Sequence, residues 1–185
     1  VTLELVAATV SDGWTNPSRN LLGQDQQSWL QSGLAESDAA WQVLGQQVLM
    51  QSMAIPAELL LNATDPDVLA KYSAPLEKLA TGQPLNQDES ALFDEASKIP
   101  YNLDAWDGYG VERETILQTA AGLGKRLVSL AGDTHNAWSG VLDVMSAGAA
   151  EPGQVVGVEF ATPGVSSPGI AVSYTHLRAH ETKPN

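Results

Sequence analysis

In residues 126–138 the chain reads Arg-Leu-Val-Ser-Leu-Ala-Gly-Asp-Thr-His-Asn-Ala-Trp, an apolar run that leads directly into an Asp-x-His pair. The run predicts a buried strand, and in an extended chain residues two apart point to the same side. Asp133 and His135 are therefore predicted to converge beyond the strand end, where ligand crevices form in α/β sheets. A carboxylate oxygen and an imidazole nitrogen suit divalent or trivalent metal ions. From these residues alone, a turn-capping Asp133 beside a hydrogen-bonded His135 remains an equal alternative.

The composition limits the function classes. The 185 residues suffice for one domain with a sizeable core. Lys and Arg number 9 against 22 Asp and Glu, and the formal net charge of -13 argues against a nucleic-acid surface or an anionic membrane surface. Bound cations can invert the local field, so a phosphate-ester substrate stays compatible with this acidity. The chain contains no cysteine, which excludes disulfides and thiolate ligands, and no apolar run approaches the ~18 residues of a membrane span.

The two ends of the chain carry separate signals. Residues 3–8 already read as a strand and no targeting segment precedes them, so we expect the chain to begin inside a domain. Residues 173–182 read Ser-Tyr-Thr-His-Leu-Arg-Ala-His-Glu-Thr, which resembles the translation of a transposon-type sequencing adapter. We therefore expect residues 173–185 to be a non-native tail, with a natural basic tail as the alternative. Outside this tail His135 is the only histidine.

Strand and helix patterns alternate along the rest of the chain. They predict strands over residues 3–8, 41–50, 127–131 and 155–161, and helices over residues 24–36 and 111–121. Residues 51–100 have helical periodicity around 67–79 and 87–97 and are broken by prolines, which predicts a helical insertion rather than a second domain. The predicted fold class is α/β with flanking helices; an open two-sheet sandwich and a doubly wound sheet are both compatible. Trp29 and Trp41 are predicted to be core residues.

Several separated segments resemble the sequence motifs of one protein family and occur in the same order. Residues 19–30 read Arg-Asn-Leu-Leu-Gly-Gln-Asp-Gln-Gln-Ser-Trp-Leu, and residues 37–48 read Ser-Asp-Ala-Ala-Trp-Gln-Val-Leu-Gly-Gln-Gln-Val. Residues 103–109 read Leu-Asp-Ala-Trp-Asp-Gly-Tyr, and residues 158–169 read Val-Glu-Phe-Ala-Thr-Pro-Gly-Val-Ser-Ser-Pro-Gly. Together with Gly-Asp-Thr-His at 132–135, they resemble the C-terminal half of the PhoD-like alkaline phosphatases and phosphodiesterases.

The resemblance implies a fold, an activity and a metal centre. Residues 1–172 would be part of a calcineurin-like metallophosphoesterase β-sandwich that hydrolyses small phosphate esters. The active centre would hold ferric iron (Fe3+) and calcium (Ca2+) and no organic cofactor, and the protein would be periplasmic or extracellular. The Gly-Asp-x-His segment of the family supplies metal ligands, which places that role on Asp133 and His135. Such ions polarise phosphoryl oxygens and orient the attacking oxygen.

Other residues have competing interpretations. Trp106, Asp107 and Tyr109 are candidates for the mouth of the substrate site, although a helix N-cap is favoured for Asp107. Arg113 is a candidate phosphate clamp, although a solvated ion pair with a neighbouring glutamate is favoured. Asn136 is a candidate contact to metal or phosphate, and a turn role is equally open. For Glu159, in an alternating strand, burial and exposure both remain open.

Some family segments are absent from this chain. The Gly-Asp-x-x-Tyr and Asp-Asp-His-Glu segments, which carry most of the other ligands, do not occur, and residues 6–9 read Val-Ala-Ala-Thr where relatives have Leu-Asp-Thr-Arg-like text. A catalytic metal needs at least about three protein ligands, so we expect this segment alone to be inactive, and its uncovered sheet to be poorly stable. One alternative is a serine esterase, which the Asp-x-His spacing and the missing Gly-x-Ser-x-Gly elbow disfavour. Another is a non-catalytic degenerate fragment.

Overall fold

The computed structural model describes residues 14–144 and 153–166, and the chain divides into two compact units. We call residues 53–103 the helical unit, and the described residues 14–52, 104–144 and 153–166 the sheet unit. None of the described helices is long and apolar enough to cross a membrane. In chain order the elements are α1 (Gly23–Glu36), β1 (Gln42–Gly45), β2 (Ala54–Pro56), α2 (Ala57–Leu61), α3 (Pro66–Ala80), α4 (Gln87–Ala91), β3 (Lys98–Pro100), α5 (Gly110–Gly122), β4 (Leu127–Ala131), β5 (Trp138–Asp143) and β6 (Val155–Ala161), with short 3₁₀ helices at Glu95–Ser97 and Trp106–Gly108.

A mixed four-stranded sheet, in the order β1-β4-β6-β5, organises the sheet unit. Strands β1, β4 and β6 are parallel, and β5 is antiparallel to β6. The carboxyl ends of the three parallel strands therefore meet at one edge of the sheet, which is where α/β folds place ligands. The segment after β1 and the loop after β4 both emerge at this edge, so the fold brings the Asp-x-His loop next to residues 46–51.

The two faces of this sheet differ in burial. One face is packed, and its fully buried side chains are Leu127, Ser129, Leu142 and Glu159. Helix α5 packs against β6, and its buried residues Ile116 and Leu117 are part of the core. On the other face the register aligns apolar side chains across the strands. Within the described residues these side chains are 47% to 61% exposed; they are Val43, Leu130, Val141 and Phe160.

Gly157 is required by the close packing of β6 against β4. It lies opposite Leu127 in the parallel register. A Cβ atom at this position would overlap the Leu127 carbonyl oxygen, so only glycine fits without a shift of the backbone.

The strand predictions were partly confirmed. Strands β4 and β6 have the predicted bounds, whereas the predicted strand at 3–8 lies outside the described residues. The strand predicted over 41–50 is wrong beyond Gly45. Residues 48–50 are apolar because they are buried in the core, and they do not pair in the sheet. Strand β5 was missed, because apolar and polar residues alternate poorly in its sequence, Trp-Ser-Gly-Val-Leu-Asp. The segment is a strand because it pairs with β6.

The helix predictions over residues 24–36 and 111–121 are confirmed by α1 and α5. The core assignment of the two tryptophans was wrong: Trp29 is 76% exposed and Trp41 is 56% exposed. In α1 only Leu34 is buried, so helical spacing alone did not identify the buried face. Trp41 instead lies beside the Arg126 guanidinium, whose carbon is 5.8 Å from the ring centroid.

The helical unit contains the β2-β3 pair and three helices. Helix α3 is capped by Asp65, whose side chain accepts a hydrogen bond from the Asp67 amide, and it matches the predicted helix around 67–79. The helix predicted over 87–97 is shorter: α4 ends at Ala91, and a 3₁₀ turn follows at Glu95–Ser97. The unit starts and ends slightly later than the predicted insertion at 51–100.

Tyr72 of α3 makes the stability of the chain sensitive to alkaline pH. Burial raises the pKa of Tyr72 to about 12, and a hydrogen bond from its hydroxyl to Glu58 Oε2 at 3.0 Å adds to this effect. An unfolded tyrosine titrates near ~10. Between these values the folded chain keeps a proton that the unfolded chain has lost, so stability falls as the pH rises from about 10 towards 12.

We expect the urea midpoint of the chain to fall over this pH range, and to fall less in Tyr72→Phe, which has no phenolic proton to lose. Tyr101→Phe is the matched control, because it leaves the Tyr72–Glu58 bond in place. An equal fall in the wild-type chain and in Tyr72→Phe would contradict the assignment to Tyr72.

Candidate functional site

The Asp-x-His pair lies in the loop at residues 132–137, between β4 and β5. Strand β4 ends at Ala131, and both Asp133 (φ 68°) and His135 (φ 58°) adopt the left-handed backbone conformation. Asp and His are among the non-glycine residues that tolerate this conformation best. The predicted extended chain through the pair was therefore wrong, because the backbone bends at both residues and the alternation of sides does not apply.

Side-chain bonds hold this loop. Thr134 Oγ1 accepts a hydrogen bond from Trp138 Nε1 at 2.8 Å, and Asn136 Nδ2 donates to the Thr134 carbonyl at 2.7 Å. This bond gives the Asn136 amide group a role in the turn. Asp133 and His135 are exposed, and neither side chain has a hydrogen-bond partner among residues 14–144 and 153–166. The capping interpretation of Asp133 and the hydrogen-bonded interpretation of His135 have no support within these residues.

A buried carboxylate lies beneath the same edge of the sheet. Glu159 of β6 is fully buried, which answers the question the sequence left open. It accepts hydrogen bonds from the amides of Met50 and Gln51 and from the side chains of Gln46 and Ser129. The segment at 46–51 is also joined to the Asp-x-His loop, since the Gly132 amide donates to the Gln47 carbonyl at 3.2 Å.

Trp106 and Asp107 are both buried in the 3₁₀ helix at Trp106–Gly108. Trp106 Nε1 donates to Gln46 Oε1 at 2.6 Å, and its backbone amide donates to the Leu49 carbonyl. The predicted N-cap role of Asp107 was wrong, because the N-cap residue of α5 is Tyr109. The 3₁₀ turn carries Asp107 into the packed interior before the helix starts.

Tyr109 is half-buried and packs against an arginine. The Arg19 guanidinium carbon lies 5.0 Å from the centre of the Tyr109 ring, and Arg19 Nε donates to the Gly108 carbonyl at 2.7 Å. This is a cation–π contact combined with a hydrogen bond to the backbone. It ties the segment before α1 to the segment before α5.

Arg113 is fully buried in the first turns of α5. Its Nε donates to the Met50 carbonyl at 2.7 Å, and its Nη1 pairs with Glu114 and reaches the Asp143 carbonyl at 3.4 Å. The predicted ion pair with a neighbouring glutamate is present, with Glu114, but the prediction that it is solvated was wrong. The reason is that this face of α5 is turned towards the sheet, where the guanidinium satisfies backbone carbonyls at the ends of two segments.

A cavity of about 430 Å³ lies between α1, β1 and Trp106. Its lining is mainly apolar and includes Trp29, Leu34 and Met50. Among the described residues that line it, neither Asp133 nor His135 appears. The cavity is lined instead by Gln46 and Gln47, and the Gln47 carbonyl accepts the hydrogen bond from Gly132 at the start of the loop.

Comparison with known proteins identifies the family. A family model described as PhoD-like phosphatase matches residues 5–185. The chain belongs to the PhoD-like phosphatase family. It is 27% identical over 160 residues to alkaline phosphatase D of Bacillus subtilis (strain 168), a match that covers 86% of this chain and 21% of that protein. A solved structure described as "Structure of PhoD" has a TM-score of 0.58 and 25% identity, and the match covers 85% of this chain and 22% of that one.

The PhoD-like chain thus spans about a fifth of the length of these relatives. Its mixed sheet with flanking helices is an α/β arrangement similar to that of PhoD, whose fold is calcineurin-like, as the sequence resemblance predicted. The predicted tail at 173–185 lies outside the described residues, and the family match extends through it.

The donors of the PhoD-like loop fit metal ions in type but not in number. Carboxylate oxygen suits hard cations, and imidazole suits iron. In the part of the chain that the structure describes, no three His, Asp or Glu side chains come together as a metal-binding group. A catalytic metal takes at least about three protein ligands. Asp133 and His135 are therefore at most part of a donor set.

The sequence interpretation missed three polar residues that support this edge of the PhoD-like sheet: Gln46, Ser129 and Thr134. Ser129 and Glu159 had a usable signal. Each stands at an inward position of an otherwise apolar strand, where a polar residue needs a buried partner. Gln46 had no such signal, because its partners come from three distant segments.

Proposed function

We propose that this chain is part of a metal-dependent phosphoester hydrolase, an alkaline phosphatase or phosphodiesterase, in which Asp133 and His135 are metal ligands. Family membership supports the reaction class. The observation that supports the two ligands is their loop: both side chains are exposed and lack partners within the described residues. Both also have a left-handed backbone, which costs about 1 kcal/mol or more at a non-glycine residue and concentrates at functional sites.

The proposed metals are ferric iron and calcium. When bound, they would supply Lewis-acid polarisation of the phosphoryl oxygens. This chain would contribute one carboxylate from Asp133 and one neutral imidazole nitrogen from His135, while Thr134 and Trp138 hold the loop in place. The other donors would come from elsewhere in a protein as long as the relatives. We accordingly propose that the segment alone is inactive.

The substrate and location are further parts of this proposal. The substrate would be a small phosphate monoester or diester, and the protein would be exported to the periplasm or the medium. Tyr109, half-buried beside Arg19, remains the candidate for the substrate mouth. Trp106, Asp107 and Arg113 are buried, and we propose that they support the site rather than contact substrate.

Metal removal tests this function in the full-length protein that contains the segment. We expect hydrolysis of p-nitrophenyl phosphate or bis-p-nitrophenyl phosphate to fall by at least about 100-fold after treatment with a chelator, because the charge-stabilising ions are lost. Activity should return when iron and calcium are added back. Dialysis without chelator is the control. Full activity in protein that elemental analysis finds free of metal would contradict the proposal.

A further inference from the structure

We propose that Glu159 is a positioning residue for the Asp133–His135 loop and acts through residues 46–51. This inference rests on the proposed function for its consequence in metal binding. Its structural part, the coupling between Glu159 and the loop, is testable without metal.

The Glu159 carboxylate is saturated with hydrogen bonds. Oε1 accepts from Ser129 Oγ at 2.8 Å, from the Met50 amide at 2.9 Å and from Gln46 Nε2 at 3.0 Å. Oε2 accepts from the Gln51 amide at 2.8 Å and shares the Met50 amide at 3.0 Å. Bonds to an ionised acceptor are stronger than neutral ones. One buried side chain therefore accepts hydrogen bonds from two consecutive backbone amides and from two side chains.

Residues 46–51 depend on these bonds because they follow the end of β1 and have few ladder partners. Two neighbours assist from other sides. Arg113 Nε binds the Met50 carbonyl, and Gly140 lacks the Cβ that would overlap the Gln51 side chain. Glu159 is the group that joins both ends of the segment, Gln46 and Gln51.

The segment in turn sets where the Asp-x-His loop begins. The Gln46 amide donates to the Leu130 carbonyl at 3.0 Å, and the Gly132 amide donates to the Gln47 carbonyl at 3.2 Å. Gly132 is the first residue of the loop. A shift of residues 46–51 therefore moves the point from which Asp133 and His135 project. Metal ligation needs precise placement, and groups behind the ligands commonly govern affinity.

Glutamine cannot replace Glu159 in this role, although it has the same shape. Its amide nitrogen would face backbone N–H groups or the Ser129 and Gln46 donors, so some donors would lose their acceptor. Glu159→Gln is therefore a sharp test with little change in volume.

Amide hydrogen exchange of the full-length, metal-free protein tests the coupling. We expect peptides that cover residues 46–51 and 132–137 to exchange about tenfold faster in Glu159→Gln than in the wild type. The matched control is Glu112→Gln, which changes another buried glutamate whose Oε2 accepts from the Leu21 and Leu22 amides. It should leave exchange at 132–137 unchanged. Equal acceleration in both variants, or none in Glu159→Gln, overturns the proposal.

Metal retention tests the consequence. We expect Glu159→Gln to release half of its metal at an about tenfold lower chelator concentration than the wild type, and Glu112→Gln to behave as the wild type, by elemental analysis. If Glu159→Gln does not fold, Ser129→Ala removes one donor to the same carboxylate and should show a smaller shift in the same direction; wild-type exchange and retention in Ser129→Ala would overturn the proposal. If His135→Ala keeps all its metal, the ligand assignment fails, while the exchange result still decides the coupling.

Discussion

Replacing His135 by alanine in the full-length protein is expected to lower bound metal and to reduce kcat/KM for phosphate esters by at least about 100-fold. Changes behind metal ligands commonly cost 10- to about 100-fold in affinity or activity, so loss of a direct ligand should reach at least the upper end. Because the His135 side chain is exposed and has no hydrogen-bond partner in the described residues, the substitution should leave the fold intact. Elemental analysis and initial rates on the same preparation measure both effects.

The matched control is Asp38→Ala, which removes an exposed side chain from the loop between α1 and β1. It should leave metal content and kcat/KM at the wild-type level. A His135→Ala protein with the full complement of metal rejects the ligand role. A protein that loses activity but keeps its metal points to a role for His135 in catalysis without ligation, and likewise rejects the assignment.

Replacing Arg113 by methionine is expected to lower the free energy of unfolding by about 3–5 kcal/mol. Removal of one member of a buried, hydrogen-bonded charge pair leaves its partners unpaired. In this chain the Met50 and Asp143 carbonyls lose a donor, and the ion pair between Arg113 and Glu114 is removed. Methionine preserves much of the buried side-chain volume, so the measured change reports mainly the lost polar contacts. Urea denaturation followed by circular dichroism gives the value.

Arg19→Met is the control for this prediction, because Arg19 is half-buried and its side chain makes one hydrogen bond to a backbone carbonyl and a cation–π contact with Tyr109. It should cost about 1 kcal/mol. In the full-length protein, an Arg113→Met variant with wild-type stability and a raised KM would instead indicate the phosphate clamp that the sequence left open, and would contradict the structural role.

Local patterns predicted most regular elements. The helices α1, α3 and α5 and the strands β4 and β6 follow from periodicity within each segment, which does not depend on distant contacts. Errors arose where a distant partner determines the conformation. The apolar residues 48–50 were predicted to be a strand. Their backbone groups instead bond to Glu159, Arg113 and Trp106, which are distant in the sequence.

The candidate site shows the same division. Contiguous sequence motifs were enough to identify the Asp-x-His pair, its position after a strand and the phosphatase family. A short motif consists of residues that are neighbours along the chain, so it can be recognised without the fold. The left-handed backbone at Asp133 and His135 was not, because it depends on how Thr134, Asn136 and Trp138 bond across the loop.

For this chain, the sequence by itself determined the α/β class, the two candidate ligands and the family, because periodicity and motif spacing are local properties. Only the tertiary structure decided that Arg113 and Glu159 are buried and that Trp29 is exposed. The physical reason is that a polar group is buried only where hydrogen-bond partners offset the free-energy cost of its desolvation. For Glu159 those partners lie up to 113 residues away along the chain.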